Sequence, residues 1–453
     1  MFTIALLLFA IRPYLLAEGM FFDGLDYAAI SHNLAQGIGS FWSLKMSETL
    51  FSQFYGHLPL VFGLQALFYN CFGNNLYFDK LYSVTTFLIT GFLMIGIWKT
   101  LGKQIATAWI PLLLWFCFPL VLWALPNNLL ENTMSIFVIA SLWCYLLYKK
   151  QNDEYWLLTA GFMICLAFFS KGVTGLFTLV MPCVYVILFR EKFWNIIKET
   201  GLILMGLLVP CLILFILMPE SYLYIKLYIQ EQVLNASQTW ITVDTRFYIV
   251  LQLLLNSIPH LTVLCILFLY NWKCEAKILF QAYRTDKKMF WFLMITALSG
   301  VLPIMISLKQ RNFYMLASFP LFAIAWACIF TSPLQQLVNR ISVKATQILN
   351  IISLLLVLGG VGSIIVHYGT ISQDRQLLID IHQLLPHIPE HTTIGIDKSM
   401  FEEWRLYPYF ARYKNISLDC EQEHDFLMLR DSTMIKNYHN PYILKLRTPT
   451  LLL

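Results

Sequence analysis

The stretch FFDGLDYAAISHNLAQG, residues 21–37, follows the first apolar segment and places two carboxylates where the chain first turns polar. Asp23 and Asp26 are three residues apart, a spacing that puts both side chains on one face of a helix. One interpretation is helix capping, in which Asp23 caps a helix over about 24–36, Gly37 ends it and Asp26 completes a capping box. The other is a catalytic base at a membrane surface, because ionisable side chains at a membrane edge are costly and usually functional.

The composition excludes an ordinary soluble protein. Of 453 residues, 58% are hydrophobic and only 13% are charged, whereas a soluble domain carries about 25% charged residues. We therefore expect a polytopic, mainly α membrane protein. The net charge of +5 comes from scattered Lys and Arg residues, which fits membrane topology and gives no reason to expect nucleic acid as a partner. The ten cysteines include no CxxC pair, so no metal or cofactor is indicated, although carboxylates beside a phosphate could recruit a divalent ion.

Apolar stretches near the length of a membrane span recur along the chain and predict about eleven transmembrane helices. If the N-terminus is cytoplasmic, every predicted inner loop contains Lys or Arg, as the positive-inside rule requires. The predicted spans are 2–18, 81–100, 105–125, 129–148, 155–170, 173–190, 200–218, 247–270, 289–307, 313–331 and 346–366.

Three longer segments lie on the predicted outer side. The loops at about 19–80 and 219–246 belong to a transmembrane domain, residues 1–366, and the second loop mixes apolar and polar residues as interfacial helices do. The remainder, residues 367–453, alternates helical periodicity with short strand patterns, TTIGI at 392–396 and DFLMLR at 425–430. This alternation predicts a small extracytoplasmic α/β domain.

Five more polar residues fall at outer junctions. His57 precedes a helix start in YGHLPL, Glu131 follows ALPNNLL, Lys171 stands in FSKGVTGL, and Lys309 and Arg311 stand in KQRNFYM. Each has a structural explanation, such as an interfacial histidine, a capping acid or a lysine that snorkels to the interface. Outer cations run against the positive-inside rule, however, and an anionic ligand such as a phosphate would explain them. Together with the two aspartates, they predict an outer pocket with a base and a phosphate clamp.

Four of these stretches, FDGLDYAAISHNLAQG, FYGHLPL, FSKGVTGL and KQRNFYMLASFP, resemble the C-type membrane glycosyltransferases that include protein O-mannosyltransferases and the bacterial lipid A aminoarabinose transferase. The resemblance covers roughly residues 1–370. It implies that Asp23, the acid of the first outer loop, is the catalytic residue. Members often have Asp-Glu there, and because this chain has Gly24 in the second place, Asp26 is the candidate replacement.

The same resemblance implies the substrate-binding residues. A position often read as Lys-Pro-Pro or His-Pro-Pro corresponds to His57, and an acid common at the third-to-fourth junction corresponds to Glu131. The donor's lipid phosphate would contact the basic residues of the later motifs. The full set implied for substrate binding is Asp26, His57, Glu131, Lys171, Lys309, Arg311 and Tyr314.

The resemblance implies an inverting glycosyltransferase that moves a sugar from a polyprenyl-phosphate donor to an extracytoplasmic lipid, glycan or protein. We expect an integral protein of the bacterial inner membrane, in contact with membrane lipids, with its active site facing the periplasm or outside. Two alternatives remain at this point. A transporter or flippase would line a path through the bilayer with its charges, and a non-catalytic sensor would use the C-terminal domain as its binding module.

Overall fold

The computed structural model describes residues 2–235, 241–270 and 275–429. It is mainly helical and carries one small sheet near the C-terminal end, as predicted. The first half contains α1 (Phe2–Ile11), α2 (Phe22–Ala35), α3 (Leu60–Phe72), α4 (Tyr77–Thr100), α5 (Trp109–Phe116), α6 (Pro119–Ala124), α7 (Leu130–Gln151), α8 (Tyr155–Lys171), α9 (Met181–Phe189) and α10 (Trp194–Leu217). The second half contains α11 (Pro219–Tyr228), α12 (Tyr248–Tyr270), α13 (Glu275–Ser299), α14 (Phe319–Asn339), α15 (Val343–Val366), α16 (Arg375–Leu384) and α17 (Leu406–Lys414).

The described residues supply eight helices that are long and apolar enough to cross a membrane, or nine if the bent pair α5 and α6 counts as one span. The predicted number of eleven is therefore not confirmed. The bend between these two helices is 83°, and it occurs where Pro119, which cannot continue a helix from the residues before it, opens α6.

The segment after α7 reverses direction at Lys171. This residue forms an ion pair with Glu131 in the first turn of α7, whereas Lys149 in the last turn of α7 forms ion pairs with Glu191 and Glu199 at 2.7 and 2.6 Å. The chain therefore runs along α7, returns along α8 to the Glu131 end, and runs again through α9 to the Lys149 end. The reversal places Lys171 at the same end of the bundle as Glu131.

Small residues let α8 and α10 cross closely. A Cβ on Gly161 would lie 2.0 Å from the carbonyl oxygen of Ile203, and one on Gly206 would lie 2.1 Å from that of Leu158. Reciprocal glycines of this kind are a common way to pack helices within a membrane, where apolar side chains gain nothing from leaving lipid.

The C-terminal region forms the predicted α/β unit. Three strands, β1 (Thr393–Ile396), β2 (Ser417–Asp419) and β3 (Leu427–Met428), form a parallel sheet in the order β2-β1-β3. The patterns at 392–396 and 425–430 predicted β1 and β3, although Arg430 lies outside the described residues, and β2 was not predicted. Helix α17 connects β1 to β2 and packs against α2, which brings this unit to the element that carries Asp23.

Candidate active site

Helix α2 places Asp23 in its first turn. The helix begins at Phe22 after Phe21, which makes no side-chain capping hydrogen bond, so the interpretation of Asp23 as a cap is wrong. An acid at this position remains favourable, because its negative charge lies near the positive end of the helix dipole. The carboxylate is half-buried, and burial raises the pKa of Asp23 to about 6. A carboxylate with a pKa near the working pH is suited to accept a proton.

The charged neighbours of Asp23 are those predicted to share its pocket. Its largest electrostatic interaction is with Lys171, followed by Glu131, Arg311 and Lys309. The three cations favour the ionised carboxylate and Glu131 opposes it. Four charged side chains from three separate stretches of the sequence thus interact electrostatically with one half-buried acid.

Glu131 and Lys171 form a fully buried ion pair beside this acid. The second carboxylate oxygen of Glu131 is buried and has no hydrogen-bond partner within the described residues. The Nζ atom of Lys171 also lies 5.2 Å from the ring centroid of Phe313 and 5.0 Å from that of Tyr314, distances typical of cation–π contacts. Tyr314 therefore contacts Lys171, the lysine that pairs with Glu131.

His57 faces α2 from the loop before α3. Its Nε2 atom lies 3.0 Å from the hydroxyl of Tyr27. The backbone is held by the hydroxyl of Tyr224, which donates hydrogen bonds of 2.8 Å to the carbonyl oxygens of Phe54 and His57. Burial, with the charges of Lys171 and Lys309, lowers the pKa of His57 well below its usual range. The imidazole is thus neutral near pH 7 and can orient a substrate hydroxyl.

The loop after residue 306 supplies the two remaining cations. Lys309 donates a hydrogen bond of 3.0 Å to Gln232, and Arg311 is exposed. The buried Gln310 between them anchors the loop, since its amide accepts from the backbone N–H of Ile249 at 3.0 Å and donates to two carbonyl oxygens. Burial, followed by the charges of Lys171 and Arg311, lowers the pKa of Lys309. A phosphate would relieve this mutual repulsion.

Asp26 lies one turn after Asp23 and is also half-buried. Burial, with a smaller contribution from the charge of Asp23, raises the pKa of Asp26 well above its usual range. Two neighbouring carboxyl groups with unequal environments can take the two different roles of base and neutral donor. The role of Asp26 in substrate binding stays a prediction.

Gly24 occupies a position that no larger residue fits without movement, since a Cβ there would lie 1.9 Å from the carbonyl oxygen of Asn127. The side chains of Asn127 and Asn128 hold the start of α2: the first accepts from the N–H of Phe21 at 2.8 Å, and the second donates to the carbonyl of Gly24 at 3.1 Å. These contacts were not predicted. The one available signal was the Asn-Asn pair in ALPNNLL, because Asn tolerates the left-handed backbone that Asn128 adopts, with φ +47°.

Within the described part of the chain, no group of three or more His, Cys, Asp or Glu side chains is placed to hold a metal ion. The ionisable groups described at this end of the bundle are carboxylates, an imidazole and three cations.

Comparison with solved structures identifies the fold. The chain aligns with the crystal structure of ArnT from Cupriavidus metallidurans bound to undecaprenyl phosphate, with a TM-score of 0.64 and 13% identity, over 99% of this chain and 96% of ArnT. The apo structure of the same protein gives the same values. The chain has the fold of a C-type glycosyltransferase.

Sequence comparison agrees with this assignment. Residues 56–220 match the model of the dolichyl-phosphate-mannose-protein mannosyltransferase family, and no curated protein sequence matches the chain. These findings agree with the predicted resemblance to C-type membrane glycosyltransferases. The matched stretch of the chain contains His57, Glu131 and Lys171, whereas Asp23 lies before it.

Proposed function

We propose that the protein transfers a sugar from a polyprenyl-phosphate donor to an acceptor on the outer side of the membrane, with inversion at the anomeric carbon. One observation carries this proposal: Asp23, a half-buried carboxylate in the first turn of α2, interacts electrostatically with Lys171, Lys309 and Arg311. Such a site pairs a proton acceptor with groups that bind phosphate. The structure of ArnT with undecaprenyl phosphate makes a bacterial polyprenyl phosphate the first lipid to test.

In the proposed reaction, a hydroxyl or amine of the acceptor attacks the anomeric carbon of the donor sugar. The bond between that carbon and the phosphate oxygen breaks, and the lipid phosphate leaves with the bonding electrons. Asp23 takes the proton of the attacking group. Lys171, Lys309 and Arg311 stabilise the charge that develops on the departing phosphate, and such groups help most when they are already in place and shielded from water.

The position of the charges favours transfer over transport. A transporter would carry its ionisable residues along a path through the bilayer. Here the acids and cations of the site gather at one end of α2, α7 and α8 and in the loop at 307–311. We accordingly propose a bacterial inner-membrane enzyme whose site faces the periplasm, with a lipid, glycan or protein as acceptor. Among the described residues, no feature favours the sensor alternative over a catalytic site.

The test replaces Asp23 with Asn and with Ala in purified, folded protein. We expect transfer from undecaprenyl-phosphate-linked mannose or aminoarabinose to fall by about 10²-fold or more, since general-base catalysis typically contributes 10²–10⁴-fold. The matched control is Asp153→Asn, which changes an exposed acid at the opposite end of α8 and should leave the rate unchanged. Full activity in Asp23→Asn would refute the proposed base.

A further inference from the structure

A chain of buried hydrogen bonds runs from the C-terminal unit into the helical bundle. It begins at Arg412 on α17, which is 2% exposed and forms a forked ion pair with the fully buried Asp79 at the start of α4. The guanidinium donates to the two carboxylate oxygens at 2.9 to 3.3 Å and to the carbonyl of Asn74 at 2.8 Å. Two charges taken fully out of water are stable only with such complete pairing.

The chain continues through α3. The hydroxyl of Tyr69 donates to Asp79 and accepts a hydrogen bond of 2.6 Å from the side-chain amide of Gln65. The carbonyl oxygen of that amide accepts from Ser31 at 3.1 Å and from Asn128 at 3.3 Å. Because each group is buried and satisfied by the next, the loss of one leaves its neighbour without a partner.

The chain of hydrogen bonds ends at Gly24, and the neighbouring Asn127 binds a second backbone group on the other side of Asp23. Asn128 donates to the carbonyl of Gly24, directly after the acid, while Asn127 accepts from the N–H of Phe21 before it. Gly24 itself lies against the backbone of Asn127. The orientation of the first turn of α2 is thus set by residues that are bonded, through α3 and α4, to the C-terminal unit.

We propose that Arg412, Asp79, Tyr69, Gln65 and Asn128 are positioning residues for Asp23. The inference rests on the proposed function only for its catalytic consequence, because the hydrogen bonds exist whatever the enzyme's substrate. A second contact from the same turn of α4 supports it: the ammonium group of Lys80 donates to the carbonyls of Tyr14, Ala17 and Gly19, at 2.7, 2.6 and 2.8 Å, and so holds the segment that leads into α2. In this view the C-terminal unit is a structural support for the catalytic helix.

The test compares two buried tyrosines that each lose one hydroxyl. Tyr69→Phe breaks the chain in its middle. Tyr82→Phe is the matched control, because Tyr82 is also buried and its hydroxyl bonds Thr133 at 3.0 Å outside the chain. We expect Tyr69→Phe alone to increase backbone amide exchange in peptides that cover residues 20–27. We also expect it to lower kcat about tenfold at an unchanged donor KM, since small displacements of a catalytic group cost rate more than binding.

Equal exchange and equal kcat in the two variants would overturn the proposal, because a general loss of stability affects both alike. Asn128→Asp is the second variant: it keeps a residue that accepts the left-handed backbone but replaces the donor to Gly24 with an oxygen. We expect it to reproduce the effect of Tyr69→Phe, and wild-type exchange at 20–27 would contradict the model.

Failure of the proposed function is distinguishable from failure of this inference. Asp23→Asn alone tests the base, and the exchange measurement needs no substrate. If the chain acts through Asp23, adding Tyr69→Phe to Asp23→Asn should cause no further loss of the residual rate. A further loss as large as in the wild-type background would show that Tyr69 does not act through Asp23.

Discussion

Asp23 combines two properties that oppose each other. Its burial disfavours the charged form, while the nearby Lys171, Arg311 and Lys309 favour it, and burial has the larger effect. The outcome is an acid that ionises near pH 6 and not near pH 4. Such a carboxylate is a better proton acceptor than an ordinary aspartate and is still largely ionised at neutral pH.

We expect kcat/KM for an undecaprenyl-phosphate-linked sugar to rise with pH through an inflection near 6, the pKa of Asp23, and to level off above it. The rate rises with pH because the ionised form of Asp23 accepts the proton, and this form predominates above its pKa. The measurement is a pH–rate profile from pH 4.5 to 8.5. A rate that stays constant down to the acidic end would contradict this assignment.

Helix ends and short loops carry the site. Glu131 is in the first turn of α7, Lys171 in the last turn of α8, and the buried Gln310 holds Lys309 and Arg311 in one loop. Each of these elements is anchored independently of any substrate. If these cations bind phosphate as proposed, binding needs no large rearrangement and avoids part of the cost of ordering them.

Replacing Lys309 or Arg311 with Met should weaken the binding of undecaprenyl phosphate by about tenfold or more each, since a hydrogen bond to a charged group contributes about 1.5–3 kcal/mol. The measurement is the Kd in detergent or nanodiscs. Lys226→Met is the matched control, because it removes an exposed cation of α11 in the same outer segment. Equal losses in all three variants would indicate a general surface effect and not a phosphate site.

At the scale of the whole molecule, the C-terminal unit is attached through charge as well as packing. Arg412 and Asp79 are both buried, while Glu18 before α2 contacts His382 at 2.7 Å and Tyr413 at 3.2 Å. Deleting residues 367–453 would leave Asp79 buried without its cation. Loss of activity after such a deletion would therefore not distinguish a sensor from an enzyme, and single replacements are the better experiment.

Arg412→Leu should reduce the free energy of unfolding by about 3–5 kcal/mol, the usual cost of leaving one buried charge unpaired. The double variant Arg412→Leu, Asp79→Leu should recover more than half of this loss, because no lone charge remains. The measurement is thermal unfolding in detergent. Arg405→Leu removes a half-exposed cation that pairs with Asp374 and Glu403 in the same unit, and it should cost no more than about 1 kcal/mol. If the double variant is less stable than Arg412→Leu, the pairing argument is wrong.

Composition and periodicity predicted the secondary-structure elements, whereas contacts between residues far apart in the sequence were not predicted. The apolar stretches and the tail pattern predicted the helical bundle, β1 and β3. The predicted outer polar residues include the four charged side chains that interact electrostatically with Asp23. In the sequence, Gly24 stands where the family motif often has Glu. The structure gives the steric reason, because a side chain there would collide with the carbonyl oxygen of Asn127. Arg412 and Asp79 are 333 residues apart, and no local pattern links them. The break between the predicted spans 155–170 and 173–190 coincides with the reversal at Lys171, whereas the predicted total of eleven spans is not confirmed.

The five residues from Asn127 to Glu131 have a consequence for how the enzyme can diversify. At one end, Asn127 and Asn128 form hydrogen bonds with the backbone on either side of the proposed proton acceptor. At the other end, Glu131 is the counter-ion of Lys171, which is proposed to bind the leaving phosphate. The spacing between the proposed proton acceptor, Asp23, and the proposed phosphate-binding Lys171 is therefore set by one short segment of the backbone. Outer loops that do not contact this segment can then vary while the spacing between these two groups stays the same.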